Sequence, residues 1–358
     1  MPHYNAFDSF KTKKSLEKKQ RVKEKILNKN IDDFVIDNCC EYGVVIEVKY
    51  DCAYVLYNNE VVLAKLRNAL NLVCNQVIFP GDKVQIDKLK DKYIISHLLK
   101  RTSILTRIKK DSTRLNDIGS RKYIAANVDL AVIVVSCMEP PLHPKFIDRY
   151  LMILKNSNIE TIICLNKCDL KTEEDEKILS IYRDLGISVI ETSTYNNIGI
   201  NILKEHLLNK QAILVGNSGV GKSSLTKAIM GDDEIKVGHI SSKSKRGRHT
   251  TTTSKYYVWE DNSSIIDTPG IRSLDVSSFN PREIQDYFKE FDNWRDKCKY
   301  SDCLHFLEPF DSCSVKQGVS GGFISVNRYE SYLRIMKDLL GKKDYDKILE
   351  EVVEKLNK

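Results

Sequence analysis

Residues Gly216-Asn217-Ser218-Gly219-Val220-Gly221-Lys222-Ser223 carry the pattern G-x-x-x-x-G-K-S. Glycines at those spacings let backbone amides close around an anion, and a following helix adds its positive N-terminal end. This is chemistry for a nucleoside triphosphate, with Lys222 for the β- and γ-phosphates, Ser223 for Mg²⁺ and Ser224 beside it. The context agrees, since an apolar run, Gln211–Val215, precedes the loop and a helical pattern, Ser223–Met230, follows it. A second motif, Asn166-Lys167-Cys168-Asp169, also follows an apolar run, Thr161–Leu165. There a carboxylate, Asp169, accepts from both donors on the guanine edge and rejects adenine, which presents an acceptor at the ring position. Lys167 would pack its stem over the base and Asn166 would brace the loop, with Cys168 between them. Ser193-Thr194, after another apolar run, would supply a backbone amide to the base carbonyl.

The third motif is Asp267-Thr268-Pro269-Gly270. Asp267 would hold Mg²⁺ through water, and the Gly270 amide would sense the γ-phosphate. Ile271 stands where many GTPases carry a water-orienting glutamine, and an apolar side chain cannot do that work. Gly247-Arg248-His249-Thr250-Thr251-Thr252-Thr253 lies where a first switch belongs. Thr251, in preference to Thr250, would complete the Mg²⁺ shell together with Ser223 and Asp267, and His249 would orient the water. Lys222, Thr251 and His249 are therefore the candidate catalytic set. In ordinary GTPases the guanine motif comes last; here it comes first, so the motif order is circularly permuted.

Cys298, Cys303, His305 and Cys313 place three thiols and an imidazole within 16 residues. Four such donors with no spare position imply one structural, tetrahedral Zn²⁺. The other seven of the ten cysteines (Cys39, Cys40, Cys52, Cys74, Cys137, Cys164, Cys168) fall mostly in apolar runs and read as reduced core residues.

The elements that must position these residues fall into four stretches. Residues 1–34 form a polar Lys-rich arm; residues 1–30 alone hold nine Lys/Arg against three Asp/Glu, most of the chain's net +7. Residues 35–106 carry five short β-type runs (Val44–Val48, Tyr54–Tyr57, Val61–Leu63, Val84–Ile86, Tyr93–Ile95), with turns at Asn58-Asn59 and Pro80-Gly81-Asp82. Five strands in so short a span predict a small barrel, an OB-fold before an SH3-like one. Residues 107–277 alternate apolar strands with helices, as in an α/β phosphate-loop core with a mostly parallel sheet. Residues 278–358 read as a helical domain interrupted by the Cys/His segment. Basic stretches at Lys100–Lys122 and Lys243–Lys255, with the arm, suit a polyanion such as RNA. No apolar run reaches the ~18 residues a membrane helix needs, so a membrane role and export are not expected.

These features together resemble the circularly permuted GTPases of the RsgA (YjeQ) family, which depend on the small ribosomal subunit. The resemblance spans about residues 40–335 and also rests on Ala126-Asn127-Val128-Asp129, Ile147-Asp148-Arg149-Tyr150-Leu151 and Glu308-Pro309. It implies an OB-fold domain, a permuted GTPase core and a C-terminal zinc domain. It also implies subunit-stimulated GTP hydrolysis in late maturation of the small subunit, with the subunit, its rRNA and GTP/GDP as partners. Separately, a cytoplasmic location is expected, since the arm is Lys-rich and not Arg/Ser-rich, as is a monomer. The competing expectation is a GTP-gated RNA-binding scaffold with negligible turnover. Departures from the family pattern are Thr194 in place of alanine, a longer arm, and three residues, Phe310-Asp311-Ser312, between Pro309 and Cys313.

Overall fold

The computed structural model describes residues 35–36, 41–49, 51–67, 78–108, 121–231, 255–260, 262–267, 276, 279–340 and 354. His249, Thr250, Thr251, Gly270, Ile271 and the N-terminal arm lie outside them. The described residues divide into two compact units, one built on residues 35–102 with 125–127 and the other on the remainder.

The first unit holds β1 (Val35–Ile36), β2 (Gly43–Val48), β3 (Cys52–Tyr57), β4 (Glu60–Leu66), β5 (Lys83–Leu89) and β6 (Lys92–Leu99). The antiparallel meander β2-β3-β4 continues into a parallel β4–β6 pair, and β5 pairs with both β6 and β2. Five strands thus close into a barrel of OB type, the expected fold, and β1 adds a short parallel strand outside β6. Alternate side chains point inward. Val45, Val55, Val62, Val84 and Ile95 fill the centre, and the facing pair Ala53 and Ala64 keeps the wall thin where the sheet curves. Asn58 and Asn59, both at positive φ, make the tight β3–β4 turn. Asp82, at the Pro80-Gly81-Asp82 turn, is buried against Arg101 at 2.7 Å.

β7 (Ile104–Ile108) and β8 (Arg121–Ala126) form a two-stranded sheet. The second unit is organised by a six-stranded sheet of β9 (Leu130–Ser136), β10 (Glu160–Asn166), β11 (Val189–Thr192), β12 (Gln211–Val215), β13 (Lys255–Glu260) and β14 (Ser263–Asp267). Its spatial order is β11-β10-β9-β12-β14-β13, and every pair is parallel except β13–β14. All seven residues of β9 and all five of β12 are buried, which is why these strands read as continuous apolar runs. β13, at the outer edge, is the one strand of this sheet that the apolar pattern does not mark.

The helices follow from local chemistry. α1 (Pro144–Asn156) opens with Pro144 in its first turn, where a missing N–H costs nothing. α2 (Glu173–Asp184) opens on a capping box between Thr172 and Asp175, with four acids in its first turn. α3 (Ile200–Leu207) and α4 (Lys222–Met230) complete the layer. The C-terminal part contains a 3-10 segment (Pro281–Tyr287), α5 (Asp292–Arg295), α6 (Ser314–Ser320) and α7 (Val326–Leu340). Phe288, Phe291, Tyr329 and Tyr332 form its aromatic core.

α7 packs on α1 through a buried ion cluster. Arg328 donates to Asp148 Oδ1 at 2.5 Å and to Glu290 at 2.6 and 3.2 Å, while Tyr182 donates to Asp148 Oδ1 at 2.9 Å. The Asp148 side chain is fully excluded from solvent and that of Arg328 is 5% exposed. Burial pushes the Asp148 carboxyl above its ordinary range, and Arg328 opposes that push. Removing the cation would leave the buried Asp148 carboxylate and the half-buried Glu290 carboxylate with no positive partner in the cluster. Arg328→Ala should lower the unfolding free energy by about 3–5 kcal/mol, read from urea titrations of the full chain.

Candidate nucleotide site and Cys/His cluster

β9, β10 and β11 run outward in turn, and the chain then returns to place β12 on the other side of β9. That reversal opens a crevice between β9 and β12 at the carboxyl edge, where open α/β sheets bind ligands. The phosphate-loop residues leave β12 at this crevice. Gly216, Gly219 and Gly221 all have positive φ. α4 begins at Lys222 with Gly221 as N-cap and no side chain capping it, so its amide end faces the loop. Lys222 Nζ donates to the Gly216 and Asn217 carbonyls at 2.8 and 2.7 Å, which keeps its charge over the loop. Ser218, Gly219, Ser223 and Ser224 are exposed, and Val220 is buried beneath the loop.

The guanine motif meets this loop directly. Asn166, 1% exposed at the end of β10, donates from Nδ2 to the Val220 carbonyl at 2.9 Å, and its Oδ1 lies 3.3 Å from the Thr192 hydroxyl. A single amide thus joins the ends of β10 and β11 to the phosphate loop. Only glycine fits at 221, because a Cβ there would lie 2.1 Å from Asn166 Nδ2. Lys167, at φ 60°, donates to the Met138 and Glu139 carbonyls at 2.9 Å. Cys168, Asp169 and Leu170 form one 3-10 turn with Asp169 exposed on it. Ser193 N–H and the Ile198 carbonyl close the neighbouring loop at 3.0 Å, with Thr194 on it and half-buried. Asp267 ends β14 in register with Leu214, close to the foot of the phosphate loop. Cys164 is fully buried, as expected of a core thiol. Cys52, Cys137 and Cys168 are half-buried instead, the last two because they sit where strands open into loops.

The second cluster joins Cys298, Cys303, His305 and Cys313, whose donor atoms all lie within 4.8 Å of one another. His305 Nδ1 faces the three sulfurs at 3.6, 3.3 and 3.5 Å. A tetrahedral ion with sulfur at about 2.3 Å and nitrogen at about 2.0 Å would hold them about 3.5 Å apart, so the donor set fits a metal ion. Burial lowers the His305 pKa to about 4 and keeps the imidazole neutral, the form a ligand needs. Burial also pushes the Cys313 thiol up to about 11 and Cys303 higher still, a cost that a cation would offset.

The cage around these donors is built by its own hydrogen bonds. The Glu308 carboxylate accepts from the Leu304 and Phe306 amides at 2.8 and 2.9 Å. Burial opposes its ionisation, yet those amides hold its carboxyl below the ordinary range. Tyr329 and Tyr332 donate to the His305 and Leu304 carbonyls. The three residues Phe310–Ser312 form a single 3-10 turn that delivers Cys313 into the cluster.

Two outcomes follow for the nucleotide site. Gly221→Ala, forced into a left-handed backbone and against Asn166, should weaken guanine-nucleotide binding by about tenfold or more, read by fluorescent-nucleotide titration. Asp169→Asn replaces an acceptor with a mixed amide. It should cost about 10–100-fold in GTP affinity and favour xanthosine triphosphate in a competition assay.

Comparison with known proteins agrees with this geometry. Residues 98–277 match the family model described as RsgA GTPase, and residues 211–355 match a model described as 50S ribosome-binding GTPase. A relative from Thermotoga petrophila, the small ribosomal subunit biogenesis GTPase RsgA, is 36% identical over 289 residues, 79% of this chain and 91% of the relative. The crystal structure of YjeQ from Thermotoga maritima superposes with a TM-score of 0.65 at 31% identity, covering 85% of this chain and 99% of that one. YloQ, a circularly permuted GTPase, superposes with a TM-score of 0.61 at 26% identity, covering 85% and 96%.

Proposed function

The chain belongs to the RsgA GTPase family, and we propose that it is a small-subunit maturation factor that hydrolyses GTP when bound to the small ribosomal subunit. The observation that carries the GTPase part of this reading is the Asn166–Val220 hydrogen bond, which brings a guanine-reading motif onto a phosphate loop despite the inverted chain order; similarity to small ribosomal subunit biogenesis GTPases supports the rest.

In this reading Asp169 reads the guanine edge, Lys167 covers the base and Ser193-Thr194 serve the base carbonyl. The amides of Gly216 to Ser224 hold the phosphates, and Lys222 neutralises charge developing on the γ-phosphoryl group. Ser223, Thr251 and Asp267 would hold Mg²⁺, which would supply positive charge at the phosphates, and the Gly270 amide would sense the γ-phosphate. Water is oriented by His249, since Ile271 cannot do it. Cys298, Cys303, His305 and Cys313 hold one structural Zn²⁺, supported by the fit of their spacing to tetrahedral ligation. Residues 35–106 and the basic segments contact rRNA, residues 107–277 are the GTPase core and residues 278–358 the zinc and helical domain. The protein acts as a cytoplasmic monomer. γ-Phosphate-dependent movement of the switches sets affinity for the subunit, with GTP favouring the bound state.

Turnover by the purified chain should rise strongly with small subunits and not with large ones. In a multiple-turnover phosphate-release assay, His249→Ala should lose the stimulated rate and keep GTP affinity. Equal rates for the His249→Ala variant and the wild type, both low, would instead favour a GTP-gated RNA-binding scaffold.

A further inference from the structure

We propose that Gln285 is the positioning residue of the Cys/His metal site, holding His305 in the one tautomer and orientation that turns Nδ1 toward the three thiols. This rests on the reading of the cluster as a zinc site, and Gln285 is not among the ligands that the sequence identifies.

His305 uses its two ring nitrogens differently. Nδ1 points at the three sulfurs, whereas Nε2 lies 3.0 Å from Gln285 Oε1. An amide oxygen can only accept, so Nε2 must carry the proton and Nδ1 must carry the lone pair. The direction of the glutamine amide is itself set, because its Nε2 donates to the Arg282 carbonyl at 3.0 Å. The Arg282 amide in turn donates to Asn280 Oδ1 at 3.1 Å, which caps the 3-10 segment Pro281–Tyr287. A chain of four groups therefore runs from the start of that segment to the metal-facing nitrogen.

The other supports of the cage act on backbone. Glu308 holds the amides of Leu304 and Phe306, and Tyr329 and Tyr332 hold the carbonyls of His305 and Leu304. The ring edge of His305 is also packed against Phe291, with centroids 5.8 Å apart and planes at 89°. That contact restrains tilt, but it cannot select which nitrogen is protonated. Among the described residues, Gln285 is the side chain outside the four donors that hydrogen-bonds to a donor side chain. Partners of this kind raise ligand basicity and fix ring orientation in metal sites.

Gln285 also sits on the stretch of chain that leads out of the nucleotide site. Asp267 ends β14, and the segment bearing Gln285 begins 14 residues later at Pro281. The metal site is thus pinned to the chain downstream of Asp267 as well as to its own loop.

The test uses the full chain. Purified wild-type protein and the variants Gln285→Leu and Gln285→Glu are loaded with zinc and challenged with a chromophoric chelator, while circular dichroism follows the fold. Wild type should hold one zinc. Gln285→Leu, similar in size but with no acceptor, should lose affinity about 10–100-fold. Gln285→Glu, which keeps an acceptor oxygen, should retain zinc near wild-type strength. A purely packing role predicts the reverse order, since leucine would fill a half-buried site better than a carboxylate. Equal zinc affinity in wild type and Gln285→Leu, or better retention by leucine than by glutamate, would overturn the assignment. Wild type that takes up no zinc would overturn the metal reading itself, and the role of Gln285 with it.

Discussion

Parallel strands that all leave one edge of a sheet are the constraint on which this molecule depends. β9, β10, β11, β12 and β14 point the same way, so the loops that follow them gather at one rim whatever order the chain visits them. The guanine motif can therefore precede the phosphate loop by about 50 residues and still meet it. The spatial order of the strands decides what meets what, and connectivity need only respect that order. β9 separates β10 from β12, and the Asn166 side chain bridges that gap.

The C-terminal residues are bound to this core by charge as well as by apolar packing. Arg328 carries its guanidinium into a site shared by Asp148, Glu290 and Tyr182, and its face lies 4.4 Å from the centre of the Phe288 ring. Desolvating three charges is expensive, and the cluster is tolerable because each charge finds a partner. Lys145 with Glu330, half-buried, and Arg149 with Asp338, exposed, add pairs between the same two helices, and the exposed one contributes little by comparison. Specificity of docking is thus carried by the buried group. The motif Ile147-Asp148-Arg149-Tyr150-Leu151 owes its aspartate to this contact.

The Cys/His cage has a similar logic on a smaller scale. Three thiols and an imidazole crowded together without a cation are poor neighbours, since burial opposes thiolate formation. Their loops are nevertheless held by Glu308, Tyr329 and Tyr332, all of them bonded to backbone. The sequence shows the four donors because donor chemistry is confined to a few residue types. Glu308 it marks only through the family resemblance, and Gln285, Tyr329 and Tyr332 not at all, because glutamine and tyrosine serve many purposes and nothing in their spacing marks this one.

Much of the fold and of the nucleotide site is legible in the order of residues. Glycine spacing marks the phosphate loop because only glycine tolerates its backbone, and burial on both faces marks β9, β10, β12 and β14 as continuous apolar runs. Alternation and Asn/Gly turns mark the five barrel strands. Less legible are β1, two residues long, and β13, an edge strand whose mixed Lys255–Glu260 run carries no period. Cys137 and Cys168 read as core thiols because each closely follows an apolar run, yet both lie just past the end of a strand and are half-buried. The sequence by itself determined which residues could perform the chemistry, because that depends on residue type and short spacing. Only the tertiary structure decided that Asn166 reaches Val220, that Arg328 reaches Asp148 and that Gln285 turns His305. Each of these contacts joins residues 20 to 180 apart in the chain, and no local pattern encodes a partner at that distance.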